Sequence, residues 1–301
     1  MQLSKHLLLP VLVCLSSYSF ADPITLYGKA NVTVQSSDEG GDRFTETQSN
    51  NSRIGVKGET KLDGGLTAFY LIEFGVDLAD LSGSDNIKSR NQYVGLKGDF
   101  GAVMIGRNDT MLKQTQGKLD QFNDYEADLK GIWKGENRLS DTITYISPKF
   151  GDFTVGLTYV AEDEEDGEDG TSVSLNYGDK NLKKSAIYAS VAADFDVAGY
   201  DIVRAAIQSQ FDALTLGAML QKQEAVNSGD SKEGAMVSAA YKMGKITYKG
   251  QFQTLEDDTA SSIGADYKLG ASTKIFAWYT VQSLDDAKDK NWLAVGLDHK
   301  F

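Results

Sequence analysis

Apolar and polar residues alternate along most of this chain, which is the pattern of strands with one apolar and one polar face. In residues 24–35, Leu26 and Val34 lie on the apolar face, whereas Lys29 lies on the polar face. Breaks in the alternation separate sixteen such runs, each close to the length of about 9–11 residues that a tilted membrane-spanning strand requires. The runs lie near residues 24–35, 52–61, 65–78, 88–98, 101–107, 138–148, 152–162, 171–178, 184–194, 200–210, 213–223, 234–243, 245–255, 260–269, 272–282 and 291–301. Alternation by itself fits either a soluble sandwich or a membrane barrel.

The connections between the runs are of two kinds that alternate along the chain. One kind is short and glycine-rich, as at residues 98–101 and 243–245, and the other is mostly longer and polar, as at residues 36–52 and 79–88. This asymmetry favours an up-and-down barrel with tight periplasmic turns and longer external loops. Such a barrel must close because lipid cannot hydrogen-bond to an open sheet edge, and a barrel of this size leaves an aqueous channel inside. We therefore predict an all-β fold, a 16-stranded antiparallel transmembrane β-barrel.

The third external connection, residues 107–138, does not alternate and is far longer than the usual connection of about 4–6 residues. Its large apolar side chains are suited to packing and include Phe122, Tyr125, Ile132 and Trp133. Its acidic side chains cluster at Asp120, Asp124, Glu126 and Asp128. We predict that this loop folds into the barrel and narrows its bore. An ordinary surface insertion is the alternative.

The first 21 residues are typical of an export signal rather than of the fold. Lys5 precedes a short apolar run, residues 7–15, and a region of small residues ends at Ala21. The apolar run is too short to span a bilayer as a helix. We therefore divide the chain into a signal peptide, residues 1–21, and a β-barrel, residues 22–301. The barrel part has no cysteine, so we expect no disulfide in it.

Composition agrees with this fold and argues against several functions. Without Lys5, the mature chain has 29 basic against 43 acidic residues, a net charge of −14 that disfavours nucleic-acid binding. Glycine is frequent, with 30 residues, and proline is scarce, with 3, which suits many strands joined by tight turns. The mature chain contains no apolar run long enough for a transmembrane helix, about 18 residues.

Several short segments resemble, in their order and spacing, the Gram-negative general-diffusion porins, and the resemblance covers the whole mature chain. The segments are 26–29 (LYGK), 52–59 (SRIGVKGE), 64–68 (GGLTA), 94–98 (VGLKG), 105–107 (IGR) and 295–301 (VGLDHKF). The resemblance implies a homotrimer in the bacterial cell outer membrane, each barrel having its third loop folded into the pore. It also implies passive diffusion of small hydrophilic solutes and ions, with no enzymatic activity and no cofactor.

In that family, basic side chains on the barrel wall face acidic side chains on the inward loop. The resemblance places the basic set at Lys29, Arg53, Arg90 and Arg138. Alternation supports a lumen-facing position for all but Arg90, because an arginine that faces lipid at the midplane costs about 2–4 kcal/mol. The run that contains Arg90 alternates poorly, so its assignment depends on the resemblance.

The acidic partners on the loop are less sharply defined. Asp120 and Asp124 have the spacing that the family uses in this loop. However, the Pro-Glu-Phe-Gly tip common in its best-known members is replaced here by residues 121–126 (QFNDYE). Glu126 or Asp128 therefore remains an alternative pore-facing acid.

Facing rows of opposite charge would create a transverse field in the pore. Such a field orients dipolar solutes and disfavours apolar ones, which cannot replace the ordered water. Ion preference follows the net charge along the path, and a few unbalanced carboxylates give a several-fold bias rather than strict selection. From the negative net charge we predict a cation preference that weakens as salt screens it.

Three features of the sequence suggest partners other than small solutes. The chain ends at Phe301, a terminal aromatic residue of the kind that the outer-membrane assembly machinery reads. The apolar strand faces would contact the lipid bilayer. The acidic loop at residues 162–169 (EDEEDGED) could bind divalent cations that bridge to lipopolysaccharide, although a solvated loop is the simpler interpretation.

Two other functions compete with general diffusion. A substrate-specific porin would need a solute-binding track, to which Tyr125 and Trp133 could contribute. An outer-membrane hydrolase would need a serine or aspartate beside a histidine, but His299 is the single histidine of the mature chain. The lack of clustered cysteine and histidine also argues against a zinc or copper site. A purely structural barrel with a closed bore is the third alternative.

Overall fold

The computed structural model describes residues 24–79, 86–126, 128–162, 168–285 and 287–301. The predicted signal peptide and most of the acidic loop at 162–169 lie outside the described residues. The strands are β1 (Thr25–Asp38), β2 (Phe44–Ser49), β3 (Arg53–Lys61), β4 (Thr67–Val76), β5 (Ile87–Gly98), β6 (Gly101–Asp109), β7 (Arg138–Ile146), β8 (Phe153–Val160), β9 (Gly170–Gly178), β10 (Ile187–Val197), β11 (Tyr200–Phe211), β12 (Leu214–Ala225), β13 (Ser231–Met243), β14 (Ile246–Leu255), β15 (Asp258–Lys268), β16 (Thr273–Ser283) and β17 (Lys290–Lys300).

These strands form one closed antiparallel ring in which β3 to β17 each pair with their neighbours in sequence. The ring closes between β1 and β17, with Lys29 opposite Lys300 and Asp38 opposite Asn291. Both β2 and β3 pair with β1, so together they make a single span and the barrel has sixteen spans. The predicted fold class is therefore confirmed, with one span divided into two segments.

The two faces of the strands follow the predicted alternation. On β1, Val34 is 55% exposed on the outer surface, whereas Thr33 and Gln35 are each 1% exposed on the lumen side. On β17, Val295 is 61% exposed and Ala294 is 1% exposed. The outer surface is thus largely apolar and the inner wall largely polar, the reverse of a soluble protein and the arrangement of a barrel in lipid.

The loop between β6 and β7, residues 110–137, lies inside the ring, and we call it the inward loop. Its apolar side chains pack against the inner wall in one cluster with β10 to β14, which contains Leu119, Leu129, Ile132, Trp133, Tyr188, Ala206, Met219, Met236 and Leu255. A second cluster joins Phe122 and Tyr125 to Phe276, Trp278 and Trp292 of β16 and β17. Each fully buried side chain of this size contributes about 1.5–3 kcal/mol. The predicted inward fold of the third loop is therefore confirmed.

Polar groups of the wall also form hydrogen bonds with the inward loop. The amide of Gln121 donates to Oε1 of Gln251 (2.8 Å), and the indole of Trp133 donates to the carbonyl of Thr254 (2.8 Å). If the loop left the wall, these wall groups would lose their partners and could hydrogen-bond only to water.

The inward loop begins with a short helix, α1 (Met111–Thr115). The hydroxyl of Thr110 caps this helix by accepting from the amide of Lys113 (3.3 Å). The amide of Leu112 donates to Oγ of Ser172 on the wall, at 2.9 Å. In the part of the chain that the structure describes, no helix is both long and apolar enough to cross a membrane.

Candidate functional site

The inward loop leaves a cavity of about 530 Å³ between itself and the wall formed by β3, β5, β6 and β7. We call it the lumen cavity. The loop packs against the opposite wall, so the cavity lies on the side of the lumen that the loop leaves uncovered. Its lining is almost entirely polar and includes Arg53, Arg90, Arg138, Asn123, Asp124 and Asp128.

On one side of the cavity, three of the predicted basic residues pair with carboxylates of the wall. Nε of Arg90 lies 2.6 Å from Glu73, and Nε of Arg53 lies 3.6 Å from the same carboxylate. Arg138 pairs with Asp109, at 2.9 Å. Each arginine thus points to the lumen side, but none of these pairs involves a loop carboxylate.

Lys29 is the predicted wall residue that reaches the inward loop. Its ammonium lies 2.7 Å from the carboxylate of Asp124, and the lysine side chain is 7% exposed. Burial, the largest single effect, would raise the pKa of Asp124, but the charge and hydrogen bond of Lys29, together with Arg53 and Asn51, hold the pKa below its ordinary value. The pair therefore stays ionised and joins loop to wall.

Asn51 connects this pair to the arginines. Its amide nitrogen donates to Asp124 (2.6 Å), and its amide oxygen accepts from Arg90 (2.8 Å). Asn51 lies in the break between β2 and β3, where residues 50–52 stand opposite only Ala30 and Asn31 of β1. This extra residue is a β-bulge, a feature that re-aims side chains at functional sites. Asn51 has φ 51°, a backbone conformation that asparagine tolerates better than most residues.

Two more bulges lie beside the lumen cavity. The pairing of β4 with β5 shifts between Ile72 and Phe74, opposite the segment that contains Arg90. This shift explains why the run around Arg90 alternates poorly in the sequence. The pairing of β6 with β7 shifts between Gly106 and Asn108, so the alternation that predicts a lumen-facing Arg138 is interrupted there. The lumen position of Arg138 follows from its contact with Asp109 rather than from alternation.

The structure separates the four predicted loop acids. Asp124 lines the cavity, and Asp128 lines it while accepting from the amide of Lys130 (3.0 Å). Asp120 lies under the loop, where its carboxylate accepts from the amides of Phe122 and Leu129 (both 2.9 Å). Its role in the structure is to hold the turn together rather than to face the cavity.

Glu126 stands apart from this set. Its carboxylate accepts from Nε2 of Gln35 on β1 (3.3 Å), and burial raises its pKa above the ordinary value. Asp120 behaves like Glu126, since burial and the neighbouring Asp128 raise the pKa of Asp120 to about 7. Glu136 is also buried and has a raised pKa despite its pairing with Arg204, at 2.6 Å.

Sequence reasoning missed Glu73, Asn51 and Asp109, which complete the charge network. Glu73 is a single acid in an otherwise apolar strand, β4, and it is 8% exposed. That isolated position was a signal, because a carboxylate in such a strand needs a basic partner. Asn51 gave no such signal, since its place depends on a bulge.

The aromatic residues proposed for a solute-binding track are not available to solutes. Tyr125 is 8% exposed and stacks on Trp278 with ring centres 5.6 Å apart, and Trp133 is 2% exposed. Both anchor the inward loop to the wall. Within the described ranges, no group of three or more acidic, histidine or cysteine side chains is arranged to hold a metal ion.

Charge differs between the two ends of the barrel. The loop end is rich in exposed acids, among them Glu39, Asp42, Glu168, Asp169, Glu256 and Asp257. The turn end is rich in exposed lysines, among them Lys61, Lys149, Lys183, Lys184, Lys245 and Lys268. The negative net charge of the chain is therefore concentrated around one mouth.

A closed barrel with an apolar outer surface and a polar lumen defines a water-filled channel through a membrane. The sequence profile of the Gram-negative porins matches residues 9–287, most of the chain. The chain therefore belongs to the Gram-negative porin family. It is an outer-membrane protein that allows passive diffusion through its barrel.

Relatives and solved structures agree with this assignment. The major outer membrane protein P.IB of Neisseria meningitidis serogroup A is 26% identical, covering 99% of this chain and 100% of that protein. The Neisseria gonorrhoeae protein of the same name is 28% identical with the same coverage. Both relatives are named as outer-membrane proteins.

Among solved structures, the anion-selective porin from Comamonas acidovorans superposes with a TM-score of 0.76 at 21% identity, covering 93% of this chain and 100% of that one. OmpF of Salmonella typhi, in complex with daunomycin, has a TM-score of 0.74 at 16% identity, covering 93% and 98%. At such identities the likeness establishes the barrel fold and leaves ion preference open.

Proposed function

We propose that the lumen cavity is the constriction of a general-diffusion pore for small hydrophilic solutes and ions. Lys29, Arg53, Arg90 and Arg138 form its basic side, and Asp124 and Asp128 are the loop acids that face them. The observation that carries the proposal is the 2.7 Å pair between Lys29 and Asp124, which fixes the loop across the bore. Asp120 and Glu126 support the loop rather than line the path.

Swelling of liposomes in solutions of neutral sugars tests this function. A pore of this kind passes small sugars faster than large ones, without saturation, because solutes diffuse through water rather than bind. We expect swelling rates to fall steeply from a pentose to a trisaccharide. Failure of even a pentose to enter would favour a closed structural barrel, and saturable entry of one sugar alone would favour a specific porin.

We propose a cation preference whose source is the loop end. The acids around that mouth raise the local cation concentration, whereas basic groups outnumber acidic ones around the constriction. Charges on exposed loops are screened by salt more than charges in a confined lumen. The cation preference is therefore a property of low salt.

We also propose that the barrel works as a homotrimer in the lipid bilayer, with lipopolysaccharide around its loop end. Support comes from a structural neighbour, OmpT of Vibrio cholerae, whose structure was solved in a trimer form (TM-score 0.68, 16% identity). Electrophoresis of unheated, detergent-extracted protein tests the oligomer. A band at three times the mass of the heated chain is expected, and a single-chain band at all detergent concentrations would contradict it.

We also propose that the C-terminal residue, Phe301, is a signal that the outer-membrane assembly machinery recognises. Phe301 exchanges backbone hydrogen bonds with Gly28, at 2.9 and 3.1 Å, so it also extends the closing pair of strands. The aromatic ring lies over Gly28 and is 61% exposed on the finished barrel.

A further inference from the structure

The inner wall carries a second group of side chains, between the constriction and the turn end, that the diffusion function does not use. We call it the aromatic–lysine patch, formed by Tyr27, Phe69, Tyr93, Lys57 and Lys97 on β1, β3, β4 and β5. The rings of Phe69 and Tyr93 meet edge to face with centres 6.2 Å apart. All three rings are only partly buried, unlike the rings that anchor the inward loop.

Two glycines explain why these rings lie flat on the wall. A Cβ atom at Gly55 would come within 2.6 Å of the ring of Tyr27, and one at Gly95 within 2.6 Å of the ring of Phe69. Each ring therefore covers bare backbone with one face. The other face is turned toward the water-filled lumen.

Two lysines lie beside the ring faces that are turned toward the lumen. The ammonium of Lys57 lies 5.3 Å from the ring centre of Tyr27, and that of Lys97 lies 5.7 Å from the ring centre of Phe69. Lys97 is also paired with Glu59. In the part of the chain that the structure describes, Lys57 has no carboxylate within ion-pairing distance. The patch thus has uncompensated positive charge next to flat apolar surface.

This combination selects a chemical class of solute. A planar ring can stack against Phe69 and Tyr93, and a single carboxylate on it can pair with the free ammonium of Lys57. Sugars suit the patch less well, because the Tyr27 hydroxyl is already committed to Glu73 (2.9 Å). We propose that the patch is a binding site for aryl carboxylates on their way through the pore. The inference rests on the proposed diffusion function, since the solute reaches the patch through the lumen.

Single-channel recording with sodium benzoate as the probe tests this site. Benzoate is expected to reduce the potassium chloride current saturably at millimolar concentrations. Acetate, which has the charge without the ring, and benzyl alcohol, which has the ring without the charge, are expected to leave the current unchanged at the same concentration.

Two substitutions on the patch and two matched controls complete the test. Lys57→Gln and Phe69→Leu should each raise the half-blocking concentration by about two- to fivefold, the range for one exposed cation–ring contact. Lys88→Gln at the loop end and Tyr70→Leu on the outer surface of the same strand should not change it.

The outcomes separate the two proposals. Normal current without benzoate block, or equal shifts in patch and control variants, would overturn the binding site and leave the pore intact. Absence of any open channel would overturn the diffusion function, and this inference with it.

Discussion

At the residue scale, the most consequential contact is the buried ion pair between Arg204 on the wall and Glu136 on the inward loop. The two charged groups are 0% and 5% exposed and 2.6 Å apart, and Arg204 also donates to Gln221 (2.8 Å). Removing one partner leaves the other charge buried and uncompensated, which costs about 3–5 kcal/mol.

We therefore predict that Arg204→Met lowers the free energy of unfolding by about 3–5 kcal/mol. Urea titration of the protein refolded in phospholipid vesicles measures this change. The matched control is Arg43→Met, because Arg43 pairs with Asp38 on the exposed surface at 3.5 Å. An exposed pair contributes at most about 1 kcal/mol, so equal effects of the two variants would contradict the account.

Asp120 gives a pH dependence at the same scale. Burial, and then the charge of Asp128, raise the pKa of Asp120 to about 7. In the docked loop, Asp120 therefore keeps its proton up to a higher pH. In the undocked loop, Asp120 loses the proton above its ordinary pKa of about 3.9. Docking is strongest below that value and weakens as pH rises through the window up to about 7.

The expected result is a lower urea midpoint at pH 8 than at pH 5, with a smaller difference in Asp120→Asn. Asp63→Asn, at an exposed turn, is the control and should keep the full difference. If Asp120→Asn also kept the full difference in urea midpoint, the pH dependence of docking would arise from other titratable groups.

At the residue scale, the sequence predicts a lumen position for Lys29 because alternation on β1 is unbroken, and the structure places its ammonium 2.7 Å from Asp124. The sequence could not select Asp124 from among the four loop acids. Asn51 could not be predicted, since its side chain is aimed by a bulge that leaves no local mark in the sequence. In the sequence, Asp120 and Asp124 look equivalent. Only the folded loop shows that Asp120 lies in a buried turn, whereas Asp124 lines the lumen cavity.

At the scale of elements, closure of the barrel depends on the pairing of β1 with β17. This strand pair was predictable, because the last run alternates cleanly and ends at an aromatic residue. The divided or shifted pairings beside the lumen cavity were not predictable, since a single extra residue in one strand changes which side chains face the lumen without changing composition.

We predict that Phe301→Ala lowers the amount of barrel inserted in the outer membrane of cells severalfold. Spontaneous refolding into vesicles should change little, because the Phe301 backbone bonds to Gly28 do not need the ring. Immunoblots of outer-membrane fractions and refolding yields measure the two effects. A loss of refolding as large as the loss in cells would assign Phe301 to closure of the barrel rather than to recognition by the assembly machinery.

At the scale of the whole molecule, charge is divided along the pore axis, with acids at the loop mouth and lysines at the turn mouth. We predict a cation-selective reversal potential in a potassium chloride gradient near about 0.1 M, where the Debye length is about 10 Å, and almost none near about 1 M, where it is about 3 Å. Neutralising Glu39 and Asp42 together should reduce the potential, whereas Lys245→Gln should not. Anion selectivity at low salt would show that the basic constriction controls selectivity.

The central claim, that the inward loop narrows the conducting path, can be tested at Asn123, an exposed residue of the loop that lines the lumen cavity. The predicted mature chain has no cysteine, so Asn123→Cys supplies a single reactive thiol. Leu220→Cys, on the outer surface, is the control. The most direct measurement is the single-channel conductance of both variants before and after a charged, membrane-impermeant thiol reagent. The account predicts an irreversible stepwise fall in conductance for Asn123→Cys only, and an unchanged conductance of the modified Asn123→Cys channel would contradict it.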